Sequence, residues 1–329
     1  MPGFDPIPAP RDRGDEPRPV PRHTGITDVR RLESATGQFR ALDYRFGGGS
    51  CRDAVLAMAS WADRIPLQST AADAVRDRLL VAMADLHNLA AWTCFDTGMP
   101  ESARYHFERA LELATLAGKH DLAANILYRT GRVHLHHEAW RDALQAFQRG
   151  QTAAERAGSD LSVAILCANE AWAHAKIGDR DQALERLGHA RDAFDRADRD
   201  SAPAWAAFFD EIDLAAITGV IYTDLARTVD PAYTAIAIPS LTRAISEYPT
   251  GMTRSRALSQ IALSMNHLFD GDYDQAARVG IEAVDSSEGV MSLRTKDRMR
   301  PLRDEANRHW DNAHVRDLVD RITRFAAAS

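Results

Sequence analysis

The side chains that could do chemistry are densest at His134-Leu135-His136-His137. Imidazole is a common zinc ligand, and a zinc site gathers its donors at about 2 Å around one centre. A longer pattern links Cys94, His134 and His174, spaced 40 apart, with His267 in the corresponding place later. Stacked helices would set these in a column with steps of roughly 10 Å. A packing role suits that position equally, since Tyr222 takes it in one segment. His134, His136 and His174 are thus weak metal candidates, and no metal or cofactor is expected. Asp210, Glu211 and Asp213 form an acidic cluster in which Asp210 and Asp213 share a helix face. Such a pair suits general acid work or an acidic patch for a basic partner. His137-Glu138 does not form the HExxH zinc motif. Gly47-Gly48-Gly49 follows a helical stretch and lacks the Lys of a phosphate loop, while Ser50 suits a helix N-cap. Cys51, Cys94 and Cys167 are too scattered for a disulfide framework or CxxC site. No nucleophile, base and orienting group come together, so catalysis is not expected.

The composition narrows the field. Hydrophobic residues make up 45% and charged residues 26%, the balance of a folded globular chain. The net charge of -7 argues against direct nucleic-acid binding, which favours a basic face. No apolar run is long enough to span a membrane, and no secretory signal opens the chain, so a cytoplasmic location is expected. Prolines crowd residues 1–24, predicting a disordered Pro-rich tail over 1–25.

Whatever the polar residues do, repeated helices must position them. Ala103, Ala143, Ala183, Ala237 and Ala276 open the second helix of successive units, at spacings of 40, 40, 54 and 39. Four residues on stand Phe107, Phe147, Leu187, Leu241 and Gly280; seven on stand Ala110, Gly150, Ala190, Ala244 and Ala283. Small residues precede them in the first helix at Ala91, Gly131, Ala171, Gly219 and Ser264. Two helices approach closely where small residues face each other, and a large neighbour fills the adjacent gap. Such pairs must stack to bury their apolar faces. The order, with Gly at the turn, resembles the tetratricopeptide repeat (TPR), although a 40-residue period exceeds the usual 34. The expected fold is all-α, a TPR-like right-handed superhelix of antiparallel helix pairs. Its domain spans 26–329, with units near 81–118, 121–158, 161–198, 212–248 and 254–286 and caps over 26–80 and 290–327. The charged run Arg294, Lys296, Asp297, Arg298, Arg300 and Arg303 suits a solvated capping face or a docking face.

Several stretches are similar to actinobacterial regulators that join a helix-turn-helix domain to a TPR-like region. They include TDVRRLESATGQFRALDYRFGGG (27–49), LAAWTCFDTGMPESARYHFERALELA (89–114), APAWAAFFDEIDLAAITGVIYTDLA (202–226), TRSRALSQIALS (253–264) and MSLRTKDRMRPL (291–302). No helix-turn-helix is expected before residue 26. The resemblance implies a regulatory, partner- or signal-sensing module, working with a separate DNA-binding chain if transcription is its target.

The repeat alignment assigns a concave groove. Its expected lining is Asp85, Asn88, Trp92 and Asp96, then Asn125, Tyr128, Arg132 and His136, then Trp172 and Lys176, with Asp213 and Asp224 following. Trp, Tyr and Arg anchor interfaces, and Asn can bond a peptide backbone in both directions. Trp92 and Trp172 could equally pack between repeats. The expected partner is a protein, a peptide or a small signal molecule, and a homodimer is compatible.

Overall fold

The computed structural model describes residues 21–68, 70–287 and 293–327. Among them run fourteen α-helices: α1 Ile26–Phe46, α2 Arg52–Gln68, α3 Asp73–Asp96, α4 Pro100–Leu116, α5 His120–His136, α6 Trp140–Arg156, α7 Asp160–Lys176, α8 Arg180–Arg196, α9 Glu211–Thr228, α10 Thr234–Glu247, α11 Thr253–Asp270, α12 Tyr273–Ser287, α13 Leu293–Ala306 and α14 Ala313–Ala327. From α3 onward they pair into antiparallel hairpins that stack in sequence. The odd-numbered helices contact one another along one layer, and each even-numbered helix packs outside its partner.

The 40-residue period has a simple origin. Helices α4 to α8 are each 17 residues long, about 25 Å at 1.5 Å per residue. Three-residue turns join them. The middle turn residue is left-handed throughout: Gly98, Gly118, Gly158 and Gly178 have φ between 63° and 80°. Gly adopts that region without the Cβ clash that penalises other residues. The turn after α5 breaks the pattern, since Glu138 holds φ 60° there.

The small–large alternation sets the hairpin spacing. A Cβ on Gly131 would lie 2.3 Å from Phe147 Cε1, and one on Gly219 would lie 2.5 Å from Leu241 Cγ. Phe147 and Leu241 are fully buried. At Gly280 the large neighbour is Leu318 of the last hairpin, so α13–α14 stacks on the array like another repeat.

Two local expectations change. Of the tail expected over 1–25, residues 1–20 lie outside the described residues. Residues 21–25 do not continue a tail: Thr24 is buried, and its N–H donates to Thr70 O at 2.9 Å. Ser50 does not cap α2, which begins at Arg52; its hydroxyl donates to Gly47 O at 2.7 Å. The glycine run has a packing role. A Cβ on Gly48 would come within 3.0 Å of Thr93 Cα and Asp96 Cβ, and Gly48 N–H donates to Asp96. No helix among the described residues is long and apolar enough to cross a membrane.

Candidate functional site

The α3, α5 and α7 residues expected in the groove do meet, largely through each other. Asn88 Nδ2 donates to Asn125 Oδ1 at 2.7 Å, and both are buried. Asp85 accepts from Arg40 of α1 at 2.6 Å. Asp96 is buried at the end of α3, where Gly48 N–H reaches it at 3.1 Å. Tyr128 stacks on Trp205 with ring centroids 5.8 Å apart, and Trp205 Nε1 donates to Asp121 O. The expansion before α9 thus folds back onto α5.

Trp172 packs between repeats. It is 3% exposed, and its Nε1 donates to Asp224 of α9 at 2.7 Å. Lys176 lies 3.2 Å and Arg227 2.9 Å from the same carboxylate. Burial pushes the Asp224 carboxyl up, but Lys176, Arg227 and Trp172 together hold it below the ordinary value. The same burial lowers Lys176. This buried charged cluster ties α7 to α9.

Arg132 is the centre of the half-buried part. Its guanidinium lies over Trp172 at 5.0 Å and Tyr128 at 5.9 Å. It donates to Tyr128 Oη and Asn169 Oδ1, both at 3.3 Å. One turn earlier, Arg129 lies over Trp92 at 5.2 Å and donates to Asn88 O at 3.4 Å. Both use neutral acceptors; neither forms an ion pair with a carboxylate among the described residues. Burial lowers the Arg129 pKa, with Tyr44, Asp43 and Asp85 near enough to oppose that shift. A guanidinium stacked on an aromatic face keeps its N–H edge available, and that edge matches a carboxylate.

Asp213 stands apart from this group, in the seam between α9 and α10, where Tyr248 Oη donates to it at 3.1 Å. Burial, then the neighbouring Asp210, pushes its carboxyl up to about 6. Asp210 is not a second carboxylate on the α9 face. It is the N-cap, accepting from the N–H groups of Ile212 and Asp213.

The histidine column is a row of separate contacts at helix ends. His174 Nδ1 lies 3.4 Å from Asp179 of its own turn, though without hydrogen-bond alignment. Burial lowers His134 and His267, against the opposing charges of Asp142 and Asp272. His136 faces Asp297 instead, at 3.2 Å, and burial lowers it to about 4. Among the described residues, no three His, Cys, Asp or Glu side chains form a group able to hold a metal ion. Burial pushes the Cys94 and Cys167 thiols up to about 11 and about 12, so both stay protonated at neutral pH.

A further polar chain carries no signature in the sequence. His87 is fully buried in α3; its Nε2 lies 3.2 Å from Asp63 of α2 and its Nδ1 2.8 Å from His106 Nδ1 of α4. With Asp63 accepting from Nε2, His87 Nδ1 accepts and His106 Nδ1 donates, the tautomers that satisfy both contacts. Burial, then His87, lowers His106 to about 4. Arg109 reaches Asp63 from the same side at 3.5 Å. The chain locks cap helix α2 to the first hairpin.

A family model for the tetratricopeptide repeat matches residues 81–156, covering the end of α3 and α4 to α6. That segment carries tetratricopeptide repeats. The all-helical hairpin stack extends the TPR-like fold beyond the matched segment. Among curated proteins, none matches the sequence significantly. Tetratricopeptide repeats generally mediate protein–protein interaction, and in the inner layer Arg129 and Arg132 of α5 stack on Trp92 and Trp172.

Proposed function

We propose that the protein is a TPR adaptor or regulator whose inner face binds an acidic segment of a partner protein or peptide. One observation carries this reading. Arg129 and Arg132 lie one turn apart on α5, stacked on Trp92 and Trp172, and donate only to neutral acceptors. A carboxylate from outside would complete both forks with charge-assisted bonds, about twice as strong as neutral ones. Asp85, Asp96 and Asp224 have cationic or backbone partners already. The local balance therefore favours an anion, although the whole chain carries a net charge of -7. The rim adds Tyr44, 69% exposed on α1.

A regulatory role rests on the resemblance of the DYRFGGG and AW-x2-FD-x-G stretches to actinobacterial regulators. Under that reading, DNA contact belongs to a separate chain, and the inner face reports on a partner in the cytoplasm. Fluorescence anisotropy with a labelled octaglutamate peptide tests the binding claim, with octalysine as the control. Saturable binding of octaglutamate alone is expected, weakened at least about fivefold in Arg129→Gln/Arg132→Gln by loss of charge-assisted bonds. Equal binding of both peptides, or unchanged affinity in the variant, would contradict the proposal.

A further inference from the structure

The start of α13 reaches back across the array to the helices just assigned to the partner. Asp297 Oδ2 lies 3.2 Å from His136 Nε2 at the end of α5, a contact spanning 161 residues of sequence. The next residue, Arg298, places its guanidinium 4.5 Å from the ring centroid of Trp172 in α7, on a ring that Arg132 also covers. Near the same helix ends, where Phe95 packs on His136, Arg254 of α11 lies 3.9 Å from Asp96 of α3. The fifth and sixth hairpins thus touch the first three.

These contacts differ from those that hold neighbouring hairpins together. The apolar residues of α13 point elsewhere: Met299, Leu302 and Ala306 pack with α11, α12 and α14 in a cluster that contains no residue of α3, α5 or α7. What crosses the inner face is polar and long-armed. His136 is held neutral at pH 7 by its lowered pKa, so its contact with Asp297 is a hydrogen bond rather than an ion pair. Asp297 has a second partner on its own helix, Arg300 at 3.0 Å, to satisfy it when the contact breaks. The α11–α14 cluster gives α13 its own support, so its start can leave the face without α13 unfolding.

We propose that the start of α13 is a tethered occupant of the partner-binding face, a clasp that an acidic partner segment must displace. The clasp presents a carboxylate to His136 and a cation to Trp172. An incoming acidic segment takes the carboxylate position and engages the Arg132 fork. Release of Arg298 removes one of the three cations over Trp172 and separates the two ends of the array. Repeat arrays permit this motion because each hairpin depends only on its neighbours. The competition rests on the binding role proposed above; the opening of the array does not.

The test uses the full chain in two arms. Small-angle X-ray scattering compares the wild type at 0.05 M and 0.5 M salt with Asp297→Asn/Arg298→Gln at low salt. Salt weakens the charged half of the bridge, the Arg254–Asp96 pair and the Arg298 cation on Trp172, so the radius of gyration is expected to rise in both comparisons while circular dichroism stays constant. Anisotropy with labelled octaglutamate is expected to show about tenfold tighter binding by the variant, since a closed population reduces apparent affinity in proportion. An unchanged radius in both comparisons overturns the clasp, because the salt arm needs no substitution that could perturb folding. Unchanged or weaker octaglutamate binding by an opened variant overturns the competition. An opened array with no octaglutamate binding in either protein leaves the clasp standing and removes the acidic-partner reading.

Discussion

The seam between neighbouring hairpins and the bridge across the inner face are built from different materials. In the seam, Leu166 of α7 fills the space against Gly150 of α6 so closely that no Cβ fits, and the buried Asp224 gathers Trp172, Lys176 and Arg227. Across the face, His136 meets Asp297 and Arg254 meets Asp96 through single polar contacts. The first arrangement has one good packing and fails if altered. The second can open and leave its groups with water or other partners. Stability therefore resides between neighbours, and the shape of the inner face is separable from it.

The largest effect is expected where the seam holds charge. Asp224→Ala should lower the unfolding free energy by about 3–5 kcal/mol, since it leaves Lys176 buried without its carboxylate. Chemical denaturation reads this, and a loss below about 1 kcal/mol would show that water reaches the cluster. Gly131→Ala comes next, at about 1–3 kcal/mol, because the added methyl meets the ring of Phe147. Wild-type stability in that variant would mean that the two helices of the hairpin part freely.

The cap seam responds to pH. His106 is lowered from 6.5 to about 4 in the folded chain. Its contribution is whole above pH 6.5 and is lost as pH falls towards 4, where the unfolded chain binds the extra proton. His136 adds to the same window. His106→Gln should flatten part of that slope in urea midpoints measured between pH 4 and 7, and an unaltered slope would clear the cap of this role. The smallest expected change is a gain. Glu138→Gly should raise stability by about 1 kcal/mol by removing the left-handed penalty at φ 60°. Thermal melts check it, and a decrease would mean that the Glu138 side chain contributes more than its backbone costs.

The sequence carries the hairpins clearly because their cause is local and repeated. Gly131, Gly150 and Gly219 stand where a large neighbour leaves no room, and the turns recur with the same left-handed residue. The inner face is only partly legible. The column of Trp92, Arg132 and Trp172 follows the period, and the structure places these residues in adjacent stacks. Arg129 escapes notice because Leu89 and Asn169 take its place in the flanking repeats. Asp213 follows the period yet turns into the α9–α10 seam, where Tyr248 supplies a donor. Asp63, His87 and His106 come from three helices with no shared spacing. The Asp297 contact depends on curvature accumulated over several hairpins, which no short window of residues contains.

The central claim is that the inner face, rather than the outer layer, holds an acidic partner. A photoreactive phenylalanine analogue placed at Tyr44 on the inner rim, and separately at Tyr105 on outer helix α4, tests it most directly. Both positions are exposed, at 69% and 53%. The account predicts that crosslinking in the producing cell gives a discrete adduct from position 44 alone, and that mapping places the crosslink in an Asp- or Glu-rich segment. Equal capture from both positions, or a crosslinked segment without carboxylates, would contradict it.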